Sequence, residues 1–390
     1  MTAGRTSSSP EIPRTTSLHA TVLVGTRPEA IKMAPVVRAL QAADADVRVL
    51  ATGQHREMVA ALLPALGTPA DHDLELMREA QTLPALTARV IDAVAADLAT
   101  HRPDVLLVQG DTTTAFAGAL SAFYAGVPIA HVEAGLRSGS LTDPFPEEAN
   151  RQLLSRLATW HFAPTHRSRV ALEAENIDPA AITVTGNTVI DNLQWVCDQG
   201  LGRSAFISGT DERRRVLVTM HRRENHGSTI GDLAAAIGRL ARRHELEVVF
   251  PVHPNPAVRS AVLPVLSSES SVRLLEPLDY FDFCATLRDT DLVLTDSGGV
   301  QEEAPSFGKP VLVLRNTTER PEAVEAGCAR LLGTDPADLE HVADQLLTDP
   351  AAYSAMSHIA NPFGDGHAAE RIAQRVCADL AAPIPDDRVA

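Results

Sequence analysis

Short, almost continuously apolar runs alternate with longer helical patterns along nearly the whole 390-residue chain. The first run, residues 20–24, ends at Gly25 and is followed by a helical pattern over residues 29–42. An apolar run that does not alternate with polar residues is typical of a parallel strand covered on both faces. The repeated order of strand, turn and helix therefore predicts an α/β fold with doubly wound sheets and right-handed crossovers.

A second series of apolar runs begins near residue 215, after a segment rich in glycine. The predicted strands are 20–24, 47–51, 105–109, 129–132, 160–163 and 183–185, then 216–219, 247–252, 272–274, 292–295 and 311–314. Two Rossmann-like halves of this length fit the usual ~100–200 residues of one domain. We predict an N-terminal domain from residues 19–188 plus 366–385, whose last helix packs back on it. Residues 189–365 are predicted to form the C-terminal domain, with the hinge near 188–209.

Composition and charge narrow the classes of function that fit the chain. Acidic residues outnumber basic ones 50 to 34, and the net charge of −16 argues against a general binder of nucleic acids or anionic membranes. The four cysteines form no CxxC pair, so neither a disulfide framework nor a zinc-site spacing is predicted. No apolar run approaches the ~18 residues of a membrane span. Residues 1–18 lack an apolar core and are predicted to be a disordered extension, so we expect a soluble cytoplasmic protein without a metal site.

Polar residues follow most of the predicted strands, at the edge where open α/β sheets bind their ligands. Each of them alone has an ordinary structural explanation. Asp111, before three threonines, suits a helix N-cap, and Glu147 suits the first turn of a helix. The combination is harder to explain by packing, because Asp111, Glu133 and Glu147 are expected to face one crevice together with Arg27 and Lys32. Lys32 is also one of only two lysines in the chain.

The segment Asp296-Ser297-Gly298-Gly299 is a candidate phosphate-binding turn, although the same residues also make an ordinary turn. It follows an apolar run and opens a helix, so its backbone N–H groups could approach an anion at the positive helix end. One turn later, the acidic pair 302–303 could accept hydrogen bonds from ribose hydroxyls. The chain has neither a P-loop nor a GxGxxG motif, which disfavours ATP and NAD chemistry.

Nine segments, taken in order, resemble the non-hydrolysing UDP-N-acetylglucosamine 2-epimerases. They are GTRPEAIKMAP (25–35), TGQHREM (52–58), QGDTTT (109–114), HVEAGLRSG (131–139), PFPEEANR (144–151), TGNTVID (185–191), HRREN (221–225), PVHPNP (251–256) and TDSGGVQEEAPSFGKPVLVLR (295–315). The resemblance implies two Rossmann-like domains in a GT-B-like arrangement, with the active site in the cleft and UDP on the C-terminal domain. It also implies interconversion of UDP-GlcNAc and UDP-ManNAc without an added cofactor. Because family members are commonly dimers, a homodimer is expected.

The resemblance further implies roles for individual residues. The positions that match catalytic groups are Asp111, Glu133, Glu147, His221 and Lys32, and those that match substrate-binding groups are Arg27, Arg151, Asn187, His253, Phe283, Ser297, Gly298, Gly299, Glu303 and Arg320. The family eliminates UDP across C1–C2 to give 2-acetamidoglucal, then adds it back with a proton on the other face of C2. This chemistry needs an acid and a base, hence carboxylates in different environments. Which of the three carboxylates plays which part stays open.

The resemblance also extends to a regulatory site and leaves other functions open. Gln54, His55 and Glu57 match a second, activating UDP-GlcNAc site, but Ala80 stands where some relatives have arginine. Met220 stands where many relatives have a small residue before the histidine. The alternatives are a hydrolysing 2-epimerase that releases UDP and N-acetylmannosamine, a GT-B glycosyltransferase, and a non-catalytic sensor of UDP-sugars.

Overall fold

Two parallel β-sheets with flanking helices organise the part of the chain that the structure describes. This computed structural model describes residues 17–53, 56–78, 81–207, 213–222 and 228–381. The predicted extension over residues 1–18 lies outside the described residues except for its last two. Among the described helices, none combines the length and the apolar character that crossing a membrane requires.

The first sheet contains the first seven strands of the described chain. In chain order its elements are β1 (His19–Val24), α1 (Arg27–Ala42), β2 (Asp46–Ala51), α2 (Arg56–Ala65), β3 (His72–Asp73), α3 (Leu83–Thr100), β4 (Val105–Gln109), α4 (Thr113–Tyr124), β5 (Ile129–Val132), α5 (Glu147–Leu157), β6 (Trp160–Ala163), α6 (His166–Ala174), β7 (Ile182–Val184) and α7 (Thr188–Asp198). The strands lie in the order β3-β2-β1-β4-β5-β6-β7, and neighbouring strands are parallel. The order reverses between β1 and β4, and their carboxyl ends border the crevice in which such sheets bind ligands.

The second sheet repeats this order with six described strands, β10-β9-β8-β11-β12-β13, again all parallel. Its elements are β8 (Arg215–Thr219), α8 (Ser228–Arg243), β9 (Glu247–Pro251), α9 (Pro256–Leu266), β10 (Val272–Leu275), α10 (Tyr280–Asp289), β11 (Leu292–Thr295), α11 (Gly298–Glu303), β12 (Val311–Val313), α12 (Pro321–Ala326), β13 (Ala329–Leu331), α13 (Pro336–Thr348), α14 (Pro350–Ser357) and α15 (Ala368–Ala381). The prediction of two doubly wound α/β sheets is thus confirmed. The edge strands β3 and β13 are absent from the prediction because β3 consists of His72 and Asp73 and Arg330 interrupts β13, so neither makes an apolar run.

Burial explains why the strands read as continuous apolar runs. All five residues of β4 and all four of β5 are buried, as expected for strands with helices on both faces. One apolar core extends beyond the first sheet, since it joins Leu193 and Val196 of α7 to Tyr280 and Leu287 of α10. The two sheets are therefore packed against each other through helices and are not separate bodies joined by a bare linker.

Helix α7 lies at the junction of the two sheets, in a segment predicted as a hinge. It packs against α1 of the first sheet and against α10 and α11 of the second. Of the predicted hinge, residues 188–198 are helical, residues 199–207 follow the helix, and residues 208–209 lie outside the described residues. The last helix, α15, lies against α1 and α7, where its Ala369 N–H donates to Asp191 at 2.7 Å. The domain boundaries at 188–189 and 365–366 stay a prediction.

Candidate active site

A buried carboxylate fixes the turn that follows β1. Glu29, in the first turn of α1, accepts hydrogen bonds from the N–H groups of Gly25 at 3.0 Å and Thr26 at 2.6 Å. Its other oxygen accepts the hydroxyl of Thr112, 2.7 Å away in the turn after β4. Burial raises the pKa of Glu29, and the hydrogen bonds only partly offset that rise. The two turns are thereby joined, and the helix that carries Lys32 is held in place.

Glu133 is a carboxylate at this edge of the sheet that accepts hydrogen bonds from three side chains. It follows β5 directly and has a left-handed backbone, with φ at 63°, which is uncommon for a residue other than glycine. Lys32 Nζ lies 2.6 and 2.7 Å from its two oxygens, and the amide of Gln109 donates to Oε2. Asn187 Nδ2 donates to Oε1 at 3.1 Å. The structure thus brings together two of the predicted catalytic residues, Lys32 and Glu133.

The electrostatics of this buried pair favour two ions. Burial by itself would lower the pKa of Lys32, but Glu133 and Glu302 outweigh it and raise that pKa. Burial likewise opposes ionisation of Glu133, yet Lys32 and Arg320 hold the pKa of this carboxyl below its usual range. A buried ion pair is tolerated when hydrogen bonds satisfy it, and the amide donors around Glu133 meet that condition.

Asn187 connects the first sheet to the second. Its Nδ2 donates to Glu302 at 3.2 Å as well as to Glu133, and its Oδ1 accepts the N–H of Val189, which caps α7. Glu302 lies in α11, and Arg320 Nε donates to its other oxygen. The structure therefore places Asn187 and Arg320, both predicted to bind substrate, in contact with protein carboxylates.

Asp111 lies in a second charged cluster, after β4. Arg151 approaches its carboxylate with Nη2 at 2.6 Å and Nε at 2.8 Å, and donates from Nη1 to Glu148 at 3.0 Å. The turn that presents Asp111 is held by His131, whose Nε2 lies 2.8 Å from the Gly110 carbonyl. Burial lowers the pKa of His131 to about 3, so the ring is neutral and donates its Nε2–H to that carbonyl.

Glu147 differs from both of these carboxylates. It is the first residue of α5 and is partly exposed. Within the described parts of the chain, its side chain has neither an ion-pair partner nor a hydrogen bond. The three predicted catalytic carboxylates therefore stand in three environments: one surrounded by donors, one paired with an arginine, and one unengaged.

His221 is oriented by Asp296, a residue that the sequence indicates only as part of a phosphate-binding turn. Asp296 follows β11 and is completely buried. It accepts the N–H groups of His221 at 2.9 Å and Arg222 at 2.8 Å, and lies 3.1 Å from His221 Nδ1. Burial opposes ionisation of Asp296, but these donors lower its pKa. Because Nδ1 is engaged, Nε2 is the ring nitrogen available to a ligand.

His253 and the start of α11 complete this side of the site. The ring of His253 stacks on that of His221, with centroids 5.6 Å apart. Ser297 is the N-cap of α11, and a Cβ added to Gly299 would meet no atom within 4 Å. At Gly298 such a Cβ would lie 3.8 Å from an Arg222 nitrogen. The backbone of the predicted phosphate-binding turn is therefore open at Gly299, whereas the Ser297 N–H donates to Thr295 Oγ1 at 2.9 Å.

Glu303, predicted to contact ribose, is buried beside the acidic Glu302. Burial, and then the charge of Glu302, raise the pKa of Glu303 to about 8, against the influence of Lys32 and Arg27. A neutral carboxyl can both donate to and accept from hydroxyl groups. Arg27 also lines a cavity of about 280 Å³ with Phe281 of α10. Phe283, on the same helix, is partly buried against the common core.

The predicted activating site falls largely on residues that are not described. Gln54, His55 and Ala80 lie outside the described residues, and Glu57 belongs to α2 but its side chain is likewise outside them. The activating site stays a prediction.

Throughout the described ranges, no group of three or more His, Cys, Asp or Glu side chains is arranged to hold a metal ion.

Comparison with known proteins gives a consistent picture. The family described as UDP-N-acetylglucosamine 2-epimerase matches residues 38–376. The chain is 47% identical over 360 residues to a UDP-N-acetylglucosamine 2-epimerase of Yersinia pestis, covering 89% of this chain and 95% of that protein. A crystal structure of UDP-GlcNAc 2-epimerase from Neisseria meningitidis bound to UDP-GlcNAc is similar with a TM-score of 0.83 and 43% identity, covering 93% of this chain and 100% of that one. The predicted GT-B-like arrangement of two Rossmann-like domains is confirmed.

Proposed function

Because the chain belongs to the UDP-N-acetylglucosamine 2-epimerase family, we propose that it interconverts UDP-N-acetylglucosamine and UDP-N-acetylmannosamine. We further propose the non-hydrolysing course, in which UDP is eliminated across C1–C2 and then added back. The elimination and the re-addition together neither oxidise nor reduce the sugar, so the reaction as written needs no redox co-reactant.

The observation that supports this proposal best is the different environment of each carboxylate at one sheet edge. Glu133 is ionised and saturated with donors, Asp111 is paired with Arg151, and Glu147 is unengaged among the described residues. Inversion at C2 needs one group that removes a proton and another that returns it to the opposite face. Carboxylates that differ in proton affinity meet this need.

In the proposed reaction a carboxylate takes the C2 proton, and the electrons of that C–H bond form the C1–C2 double bond. The C1–O bond breaks, and its electron pair leaves with UDP. Re-addition reverses these steps, with the proton delivered to the other face of C2. Asp111 and Glu147 carry fewer donors and suit proton transfer, whereas Glu133 suits holding Lys32 and the sugar in position.

The second sheet offers groups for the departing diphosphate. UDP gains negative charge as it leaves, so donors placed in advance stabilise the transition state. We propose that His221 Nε2, the side chain of Arg222 and the backbone N–H groups of Gly298 and Gly299 meet this charge. Asp296 keeps the histidine ring in orientation through its contact with Nδ1.

The proposal is tested by incubating the full-length protein with UDP-GlcNAc in D₂O and following C2 by proton NMR. We expect UDP-ManNAc to appear, with deuterium at C2 of both sugars. Accumulation of UDP and free N-acetylmannosamine would instead identify a hydrolysing enzyme. UDP-GlcNAc that keeps its C2 proton and stays unconverted would reject the epimerase proposal.

Three further expectations stay proposals for this chain. They are a homodimeric assembly and activation by a second UDP-GlcNAc, which the family resemblance implies, and the cytoplasmic location predicted from the sequence.

A further inference from the structure

We propose that Asn187 is a positioning residue of the reaction, which acts by holding Glu133 against Glu302 of α11. The inference rests on the proposed function, since it concerns the carboxylate at the centre of that site. It replaces the prediction that Asn187 binds substrate directly.

The side-chain amide of Asn187 lies between two buried carboxylates. Its two N–H hydrogens serve Glu133 Oε1 at 3.1 Å and Glu302 Oε2 at 3.2 Å, and Oδ1 accepts from α7. The exposed fractions are 2% for Asn187, 3% for Glu302 and 8% for Glu133. An amide nitrogen carries only two hydrogens, so no donor of this side chain is left for a substrate.

The two ends of this bridge are also joined through the backbone. Asn361 Nδ2 donates to the Glu302 carbonyl at 2.9 Å, and the Phe363 carbonyl accepts the Asn187 N–H at 2.6 Å. A single short segment, residues 361–363, thus contacts both Asn187 and Glu302. The amide bridge is therefore set by its surroundings and is not a chance contact of two mobile side chains.

The bridge links the proposed nucleotide end of the site to Glu133, the carboxylate that holds Lys32. Helix α11 starts at the predicted phosphate-binding turn and ends at Glu303, so Glu302 moves together with that turn. Through Asn187, the position of α11 determines where Glu133 and its partner Lys32 lie. A rigid link of this kind keeps reacting groups in the geometry that the transition state requires.

The charged and titratable groups around Glu133 come from several elements. Lys32 lies on α1, Arg320 precedes α12, and Glu302 lies on α11. His131, which is neutral, lies on β5. Removing the Asn187 amide takes a donor from Glu133 while both cations remain. The pKa of Glu133 should then rise towards its ordinary value, and the carboxylate should become less well fixed.

Two substitutions distinguish the role of Asn187 in the bridge from its role as the N-cap of α7. Serine and aspartate are both good N-caps, so Asn187→Ser and Asn187→Asp keep the cap of α7. Serine is too short to reach both carboxylates, and aspartate places an acceptor where a donor is needed. We expect kcat to fall about 10-fold for serine and about 100-fold for aspartate. The acidic limb of the pH–rate profile should move to higher pH in both variants, while the Kd for UDP changes less than about 2-fold.

A matched control is Asp335→Ala, which removes the N-cap of α13, a helix of the second sheet to which none of the site residues belongs. This variant should lose stability and keep its kcat. A raised KM and a weakened affinity for UDP-sugar at unchanged kcat would overturn the proposal and support direct substrate binding by Asn187. A lowered Tm with unchanged kcat and pH profile would leave only a structural role. An inactive wild-type protein would refute the proposed function instead.

Discussion

Replacing Asp296 by asparagine tests whether the second sheet contributes an oriented histidine to the site. The substitution keeps the shape of the side chain and removes its charge. Asp296 accepts the N–H groups of His221 and Arg222 at 2.9 and 2.8 Å, and contacts His221 Nδ1 at 3.1 Å. Asparagine supplies one acceptor oxygen in place of two, and its amide hydrogens would face groups that are themselves donors.

The expected magnitude follows from these contacts. A buried N–H that loses its acceptor costs about 1–3 kcal/mol, and a hydrogen bond to a charged acceptor contributes about 1.5–3 kcal/mol. We therefore expect the free energy of unfolding of Asp296→Asn to fall by about 2–3 kcal/mol. The kcat should fall as well, because His221 loses the partner that fixes its ring. A decrease in kcat of about 100-fold is the scale for a misplaced acid or donor.

The measurement pairs urea denaturation with NMR kinetics of epimerisation, and Asp291→Asn is the matched control. Asp291 precedes β11 just as Asp296 follows it, and its carboxylate accepts the N–H of Arg215 at 2.8 Å. The control should lose stability without losing rate. If Asp296→Asn lost stability as expected but kept kcat within about 3-fold of the wild type, the orienting role would be refuted.

Two further substitutions test separate parts of the molecule. Asp111→Asn removes the charge that faces Arg151 and should lower kcat about 100-fold in the NMR assay; an unchanged rate would remove Asp111 from the proton-transfer groups. Asp191→Asn tests the docking of α15, because burial raises the pKa of Asp191 to about 6. The folded-state pKa lies above the unfolded value of about 3.9, so this carboxyl stabilises the fold at low pH and the gain is lost as pH rises through about 6. Urea denaturation of the wild type should therefore show about 2 kcal/mol more stability near pH 4 than near pH 7 from this group. Asparagine, which still accepts the Ala369 N–H, should abolish that difference, and an equal pH dependence in both proteins would contradict the assignment.

The fold could be predicted largely because its strands are buried on both faces. Strands β4 and β5 contain almost only apolar residues, which leaves a clear trace in the sequence. The short edge strands β3 and β13 leave no such trace. Helix α7 was not predicted, because the glycines that follow it suggested a hinge over the whole segment 188–209. Its N-cap Asn187 and the apolar residues that face two sheets were the local signals for a helix.

The site could be predicted only in part, for a geometric reason. Residues that directly follow parallel strands meet at one edge, so Glu133 and Asp111 can be identified from their positions alone. Contacts between the two sheets depend on how the sheets pack, and no local pattern contains that information. The link from Asn187 to Glu302 and Arg320 is of this second kind. Gln109, which ends the apolar strand β4 with a polar side chain, did carry a local signal.

The acidic composition of the chain is compatible with a doubly charged ligand because the charges at the site are balanced locally. Two partly buried cations, Lys32 and Arg320, are matched by the carboxylates Glu133 and Glu302. This cluster therefore adds little net attraction for an anion, and its charges serve to hold one another in place. Attraction for a diphosphate is then expected from groups outside this cluster, among them His221, which Asp296 orients, and the exposed backbone at Gly299. The charge-balanced cluster and the groups proposed to bind the leaving group can thus keep different electrostatic characters, which a net charge of −16 does not reveal.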